Sequence, residues 1–158
     1  MRIRKATPAD VITCARIQRD SDGARAGHLK KDELLSIKYL KRYLANDYST
    51  ILVAENGGEI AGHVVFSYDE WNNSAHIDLL FVRHDKQNIG IGSKLLDAVV
   101  KQAKKTGVRI LFLETKKEKN NAIVFYEKNG FSVAGHIDGL YKEAPGNALV
   151  MSRKLKNS

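Results

Sequence analysis

The sequence predicts an α/β protein in which one mixed β-sheet carries helices on both faces. A hairpin is indicated where two β-type runs, Thr50–Glu55 and Glu59–Ser67, flank the turn residues Asn56-Gly57-Gly58, in which the Asn-Gly pair is expected to supply the positive φ angles. Further along, the apolar run Ile77–Val82 is followed by apolar residues at helical spacing from Ile91 to Ala103. The chain therefore alternates between strands and helices, and it contains no internal repeat.

Two helices are predicted before the hairpin. The first begins at Pro8–Asp10 and keeps an apolar face up to about Arg19. The polar segment Asp20–Arg25 is predicted to be a connector, since it lacks the ligand and the glycine that a calcium loop needs. A second helix is predicted from Asp32, as its cap, to about Asn46.

The second half of the chain supplies the remaining strands. After a polar loop, Ala75–Val82 is predicted to be a strand. The runs Phe131–Ile137 and Ala148–Leu155 are predicted to form another hairpin, with a turn region at Pro145-Gly146.

Length and composition favour a single domain over residues 1–158. The 158 residues are 43% hydrophobic, which is ample for one core. No apolar run approaches the ~20 residues that a membrane-spanning helix needs, and the first residues do not resemble a signal peptide. A cytoplasmic protein without membrane association is therefore predicted. Cys14 is the single cysteine, and its apolar neighbours indicate a buried helix face.

The net charge favours anionic ligands without choosing among them. It is +8, from 26 Lys and Arg against 18 Asp and Glu. Two modest concentrations of basic residues flank the glycine-containing segment at 87–92 and could attract phosphates there by charge alone: Arg83, Lys86 and Lys94, and Lys116, Lys117 and Lys119. Aromatic residues do not interleave with them. Nucleic-acid binding is therefore the weaker explanation of the charge, and solvated surface lysines remain the simplest one.

The segment Gln87–Leu96 places Gly90 and Gly92 between the apolar strand and the amphipathic helix. A side chain at either glycine would hinder the close approach of a ligand, and positive φ is expected in the turn at Gly92. The first N–H groups of a helix lack internal acceptors, and the helix dipole adds about half a positive charge there, so a phosphate is stabilised at this position. A tight turn without a ligand is the alternative. Other glycine motifs fit less well: a Walker loop lacks its first glycine, and a dinucleotide-binding fingerprint would need glycine at Leu95.

Gln87, Gly90 and Gly92 match the pattern Arg/Gln-x-x-Gly-x-Gly/Ala, and the segment resembles the acetyl-CoA loop of the GNAT superfamily of N-acetyltransferases. The segment Asn121–Phe131 is similar to the family's Ala-x-x-x-Tyr-Glu-Lys-x-Gly-Phe motif, and Leu111–Glu114 is similar to the strand that precedes it. The resemblance covers roughly residues 50–154. It implies a mostly antiparallel GNAT-like sheet and acetyl-CoA as the acyl-donor cosubstrate, with no metal.

The resemblance also implies which residues contact the coenzyme. In the family, the strand before the loop pairs its backbone with pantetheine amides, and a backbone N–H there stabilises the oxyanion. The positions so implied are Leu80, Phe81, Val82, Gln87, Asn88, Ile89, Gly90, Ile91, Gly92, Ser93 and Asn121. For Asn121, helix capping is the alternative role, and the family's usual asparagine position is held by Lys119.

Tyr126 is the predicted general acid, because the resemblance places it where the family's tyrosine protonates the departing CoA thiolate. Packing in a short helix, with its hydroxyl bonded to a structural partner, is the alternative. For the base that deprotonates the amine, the candidates are Asp78 and Glu114, either of which could instead be an ion-pair partner. His76 alternates with Asp78 on one strand face and is a third candidate, while the other histidines show no metal-ligand spacing.

The predicted function is acetyl transfer from acetyl-CoA to a primary amine by direct attack in a ternary complex, since no nucleophile with a paired base is visible. Tyr68, Trp71, His28 and Tyr141 are candidates for lining the acceptor site, with core shielding as the alternative for Trp71. A small-molecule amine, a protein amino group and a homodimer stay open. A non-catalytic CoA-binding sensor or protein-interaction module is the alternative from another class.

Overall fold

The structure is a computed structural model that describes residues 1–21 and 29–156. His28 and most of the predicted connector Asp20–Arg25 lie outside these residues. The described elements, in chain order, are β1 (Arg2–Lys5), α1 (Val11–Ser21), α2 (Leu29–Leu44), β2 (Ser49–Asn56), β3 (Glu59–Asp69), β4 (Ser74–Val82), α3 (Ile91–Lys105), β5 (Ile110–Lys116), α4 (Asn120–Lys128), β6 (Ser132–Ile137) and β7 (Ala148–Lys154).

The strands form a mixed seven-stranded sheet in the order β1-β2-β3-β4-β5-β7-β6. Strands β4 and β5 run parallel, whereas β1 with β2, β2 with β3, β5 with β7 and β6 with β7 are antiparallel. The predicted α/β class with a mixed, mostly antiparallel sheet is therefore confirmed. By its internal contacts the chain divides into two compact units, the first comprising Met1–Ser67 and Asp78–Lys101, and the second Tyr68–Ile77 and Gln102–Ser158.

The first unit is built around a core in which α1 and α2 contribute side chains together with β2 and β3. Its buried members are Val11, Cys14, Ala15, Ile17, Leu40, Ile51, Val53, Ile60 and Val65. Cys14 is 1% exposed, as its helix periodicity predicted. Burial raises the pKa of its thiol to about 12, so the thiol stays protonated and is a poor nucleophile at neutral pH.

The hairpin between β2 and β3 closes through Gly57 and Gly58, whose φ angles are +62° and +83°. Two positive φ angles at the centre of a two-residue loop give the turn whose twist suits a hairpin. The sequence placed positive φ on the Asn-Gly pair, but the structure places it on the two glycines because Asn56 is already paired with Glu59 in the strand ladder.

The second unit contains β5, β7 and β6 with α4. The parallel register between β4 and β5 covers the pairs from Ser74–Ile110 to His76–Phe112, and β7 pairs with β5 over its whole length. The predicted C-terminal hairpin is confirmed, since β6 and β7 are antiparallel neighbours. The buried side chains include Leu111, Leu113 and Met151, which fill the centre of this unit.

One predicted helix boundary is wrong. Helix α2 covers Leu29–Leu44, so Asp32 lies within the helix and is not its cap. The error has a simple cause: Asp is favoured both at the cap and in the first turn, where it complements the helix dipole, so the residue type alone does not fix the start.

His63 is a fully buried histidine on β3, and its ring stacks on Phe81 at 5.7 Å between centroids. Among the described residues, neither of its ring nitrogens has a hydrogen-bond partner. Burial without a partner disfavours the charged imidazolium and lowers the pKa of His63 to about 4. The fold therefore accepts only the neutral ring.

This burial predicts acid-sensitive stability. Because the folded pKa of about 4 lies below the ordinary 6.5, the unfolded chain binds the proton first as the pH falls, and stability is lost between about pH 6.5 and pH 4. We expect the free energy of unfolding, from urea titrations, to be about 2 kcal/mol smaller at pH 5 than at pH 7 through this residue. His63→Leu should remove that part of the pH dependence, and an unchanged loss in His63→Leu would contradict the assignment.

Candidate active site

The loop between β4 and α3, together with the first turn of α3, carries residues 87–93, which the sequence predicts to contact the coenzyme. After β4 ends at Val82, a short 3-10 turn covers His84–Lys86, and α3 begins at Ile91. Asn88 and Gly90 have φ angles of +62° and +87°. The left-handed conformation at these two positions turns the chain sharply into the helix, and it is tolerated best by glycine and asparagine.

The N-terminus of α3 presents donors at the end of this turn. The amide of Lys94 donates to the carbonyl of Gly90 at 3.1 Å and closes the first helical turn. The amides of Ile91, Gly92 and Ser93 precede this bond, so helix geometry gives them no acceptor within α3. A helix of 15 residues places the positive end of its dipole at the same point, and an anion fits there.

The role of Gly92 differs from the sequence prediction in one respect. It is the second residue of α3 and therefore has helical backbone, so the positive φ expected there belongs to Gly90 instead. A side chain at Gly92 would still project beside the donors of the first helical turn. Gly92 is therefore expected to matter for coenzyme binding because it leaves space for the ligand, and not because its backbone conformation requires glycine.

Two further contacts hold the loop, and the sequence did not predict either. The side-chain amide of Gln87 donates to the carbonyl of Val82 at 3.2 Å, which joins the loop to the end of β4. On β3, a Cβ atom at Gly62 would lie 2.8 Å from the carbonyl oxygen of Phe81. Glycine is therefore required at 62 for β3 to approach β4, and such a close approach has no periodic signal in a sequence.

The basic charge beside the loop is smaller than composition suggests. Arg83 donates to both carboxylate oxygens of Asp85, at 2.8 and 2.6 Å, and to Glu59 at 2.9 Å. These carboxylates, Asp85 before Glu59, raise the pKa of Arg83 and neutralise much of its field. Lys86 and Lys94 remain the lysines nearest to the loop in sequence. Arg83 therefore holds the loop in place, which the predicted attraction of phosphates by charge alone did not consider.

Asp78 is held by hydroxyl groups from two other elements of the first unit. Ser67 Oγ on β3 donates to Asp78 Oδ2 at 2.6 Å. The phenol of Tyr43, near the end of α2, also hydrogen-bonds to Asp78. Burial, and after it the charge of Asp78, raises the pKa of Tyr43, so this phenol stays protonated and remains a donor. The sequence predicted Asp78 but neither of its partners.

Tyr126 lies in the second unit, on α4, half-buried between the rings of Phe125 and Phe131 at centroid distances of 5.1 and 5.7 Å. Among the described residues its hydroxyl accepts and donates no hydrogen bond, so the structural partner considered as its alternative role is not found there. Burial, followed by the neighbouring Tyr141, raises the pKa of Tyr126 to about 12. The phenol is therefore protonated throughout the neutral and mildly alkaline range.

Glu114 contacts His76 in the same unit, with 2.5 Å between Glu114 Oε2 and His76 Nε2. The side chains retain 26% and 28% of their exposure, so both are accessible to a ligand. The His76 ring also packs on Phe112 at 4.9 Å. Burial, followed by the charge of Glu114, raises the pKa of Tyr141, so the second unit brings Tyr126, Tyr141 and the Glu114–His76 pair into one neighbourhood.

The structure excludes the alternative roles that the sequence left open for Asn121 and Trp71. Helix α4 begins at Asn120 with Lys119 as its N-cap, so Asn121 does not cap the helix; its side chain is exposed in the first turn. Trp71 is 94% exposed, so the core-shielding role is wrong. The loop that carries it is ordered by Asp69, which accepts a hydrogen bond from the Trp71 amide at 3.0 Å. Tyr68 is half-buried.

Two kinds of site are not found in the described residues. Histidine, cysteine, aspartate and glutamate form no group of three that could hold a metal ion among residues 1–21 and 29–156. Over the same residues, no helix combines the length and the apolar character needed to cross a membrane.

A sequence model of the Acetyltransferase (GNAT) family matches residues 15–131. The chain therefore belongs to the GNAT acetyltransferase family, as its loop and its tyrosine segment predicted. A relative among curated proteins is an uncharacterized N-acetyltransferase, YhfO, of Bacillus subtilis, which is 33% identical over 97 residues. That match covers 59% of this chain and 65% of the relative, so the chain spans slightly less than two thirds of the relative's length.

Solved structures show the same fold. The ribosomal-protein-S18-alanine N-acetyltransferase of Escherichia coli superposes with a TM-score of 0.82 over 99% of this chain and 95% of that one, at 19% identity. A protein of Bacillus anthracis assigned to the streptothricin acetyltransferases, solved in complex with acetyl coenzyme A, has a TM-score of 0.65 and 26% identity. The match covers 73% of this chain and 68% of the Bacillus anthracis protein.

The geometry of the loop predicts the effect of Gly92→Val. The added side chain should exclude a phosphate from the first turn of α3 and remove charge-assisted hydrogen bonds of ~1.5–3 kcal/mol each, so acetyl-CoA affinity should fall by about 100-fold or more. Calorimetry measures the affinity, and circular dichroism should show an intact fold. Ala98→Val adds the same side chain farther along α3 and should bind normally. Equal affinity of Gly92→Val and the parent protein would contradict the anion site.

Proposed function

We propose that the protein is an N-acetyltransferase that transfers the acetyl group of acetyl-CoA to a primary amine by direct attack in a ternary complex. The observation that carries the proposal is the β4–α3 loop, where Asn88 and Gly90 turn the chain so that the amides of α3 converge at its N-terminus. Family membership supports the reaction class, and the acetyl-CoA complex of a similar structure supports the acyl donor.

Two elements would bind different parts of the coenzyme: the N-terminus of α3 would bind the pyrophosphate, and β4 would bind the pantetheine arm. The amides of Ile91, Gly92 and Ser93 suit the pyrophosphate, because they are the donors that α3 leaves without internal acceptors. The backbone of Leu80–Val82 on β4 suits the pantetheine arm, with Gly62 and Gln87 fixing the course of this strand end. A backbone N–H of the same strand is the proposed oxyanion donor. The exposed side chain of Asn121 is a further proposed contact with the coenzyme.

Tyr126 is the proposed general acid. A phenol with pKa about 12 holds its proton at neutral pH, and its hydroxyl has no competing hydrogen bond among the described residues. Its role would be to give that proton to the sulfur of the leaving thiolate, which then departs as the thiol. The aromatic rings of Phe125 and Phe131 fix the direction of the hydroxyl.

The Glu114–His76 pair is the proposed proton acceptor for the attacking amine. A histidine and a carboxylate in contact form the arrangement in which one group takes a proton and the other orients it. If the two act as a unit, Glu114→Gln and His76→Gln should each reduce kcat about 100-fold, and the double variant should lose little more. Steady-state kinetics of the four proteins test this, and additive losses would contradict a shared role.

For the acceptor we propose a chemical class, a small-molecule amine, and not a particular compound. The similar structure assigned to the streptothricin acetyltransferases favours a small-molecule amine over a protein amino group. The experiment is an amine panel with acetyl-CoA, in which CoA release is followed by thiol detection. Release with at least one amine supports the proposal. Binding of acetyl-CoA without release with any amine would instead favour the sensor alternative, and failure to bind any acyl-CoA would remove both.

Tyr126→Phe separates chemistry from binding. The variant should bind acetyl-CoA as the parent does, because the ring contacts remain, while kcat falls about 100-fold through loss of the proton donor. In the parent protein, ionisation of Tyr126 should not limit the rate below about pH 11, since its pKa is about 12. Tyr48→Phe, at a 56% exposed tyrosine, is the matched control. Parent-like turnover in Tyr126→Phe would exclude the phenol as the acid.

A further inference from the structure

Lys116, the last residue of β5, holds its amine over an aromatic ring of the second unit. Its Nζ lies 5.6 Å from the centroid of the Tyr141 ring and 3.4 Å from Glu143 Oε2. The Lys116 side chain is 36% exposed, so the core does not enclose it. The reaction proposed above gives this lysine no role.

Lys116 lies on the same face of β5 as Glu114, the carboxylate of the proposed proton-accepting pair. Thr115 between them is buried, whereas Glu114 and Lys116 are half-buried, so the two side chains share the face opposite to Thr115. Residues two apart on a strand are separated by about 7 Å along its axis. A lysine has a flexible four-carbon stem, which allows the amine of Lys116 to turn toward the Glu114 carboxylate.

Tyr141 joins this lysine to the proposed general acid. Burial, followed by the charge of Tyr141, raises the pKa of Tyr126, and burial, followed by the charge of Glu114, raises the pKa of Tyr141. The Tyr141 phenol therefore lies near both groups, while its ring lies beneath the amine of Lys116. The second unit thus places a primary amine of the chain beside the groups proposed to move protons in the transfer.

We propose that Lys116 is a site of self-acetylation, at which its side-chain amine accepts the acetyl group of acetyl-CoA bound to the same chain. This inference rests on the proposed function, because it uses the same acyl donor, general acid and proton acceptor. It goes beyond that function by naming a second acceptor, an amine of the protein itself. An acceptor that the fold holds in place reacts without a separate binding step, which favours the transfer.

The reaction balances with the groups already named. The Lys116 ammonium gives one proton to the Glu114–His76 pair, and the nitrogen lone pair then attacks the carbonyl carbon of the thioester. An N–C bond forms and the C–S bond breaks, with its electron pair going to sulfur. The sulfur takes the proton of Tyr126, and the second proton of the nitrogen replaces it on the phenol. The products are the amide, the CoA thiol and the proton held by the pair.

The experiment incubates the full chain with acetyl-CoA without any added amine and follows acetylation by peptide mass spectrometry. Lys116 should be acetylated faster than Lys117, its exposed neighbour, by about tenfold or more. Glu114→Gln and Tyr126→Phe should each slow acetylation of Lys116 by about tenfold or more and leave that of Lys117 unchanged. Lys116→Arg, which keeps the charge, should abolish the fast reaction, and Lys117→Arg, the matched control, should leave it at the parent rate.

The outcomes also separate this inference from the proposed function. A rate per molecule that does not change with protein concentration supports transfer within one chain, and a rate that rises with concentration would overturn it. Equal acetylation of Lys116 and Lys117, or a Lys116 rate that Glu114→Gln leaves unchanged, would overturn self-acetylation, while turnover of an added amine would leave the proposed enzyme standing. Fast acetylation of Lys116 without turnover of any added amine would support the inference and count against transfer to a free amine.

Discussion

The proposed acetyl-CoA site depends on how the backbone turns from β4 into α3. A helix leaves its first amides without partners, and a ligand can use them only if the preceding chain does not cover them. Left-handed backbone at Asn88 and Gly90 produces that open turn, and the Arg83–Asp85–Glu59 contacts hold its entry. Under the proposed function, the binding energy for the pyrophosphate comes from main-chain groups, which side-chain substitution cannot remove but can block. This explains why glycine suits positions 90 and 92.

The two acidic candidates differ in their surroundings and thereby in what they can do. Asp78 accepts hydrogen bonds from the hydroxyl groups of Ser67 and Tyr43. Glu114 contacts an imidazole, and this pair is the one proposed to take the proton of the amine. Both candidates are carboxylic acids, so only their partners in the fold distinguish them. Tyr126 lies in the same unit as Glu114, and burial keeps its phenol protonated.

Local patterns predicted the fold and the loop, while partners distant in sequence escaped prediction. Alternating strands and helices, the hairpin glycines and the segment at 87–96 are encoded within short windows, so periodicity reveals them. Ser67 and Asp78 are 11 residues apart and His76 and Glu114 are 38 apart, and no local pattern joins them. Gly62 was missed because its need arises from the backbone of another strand. Gly92 was assigned the wrong conformation because glycine suits both a left-handed turn and an unencumbered helix start.

Under the proposed function, the N-terminus of α3 binds the pyrophosphate of acetyl-CoA through main-chain amides. Titration of the labelled protein with acetyl-CoA, followed by amide NMR, tests it directly. We expect the amide protons of Ile91, Gly92 and Ser93 to show the largest downfield shifts, because each gains a charged acceptor. Saturable binding in which these signals stay in place, while shifts concentrate elsewhere in the chain, would contradict it.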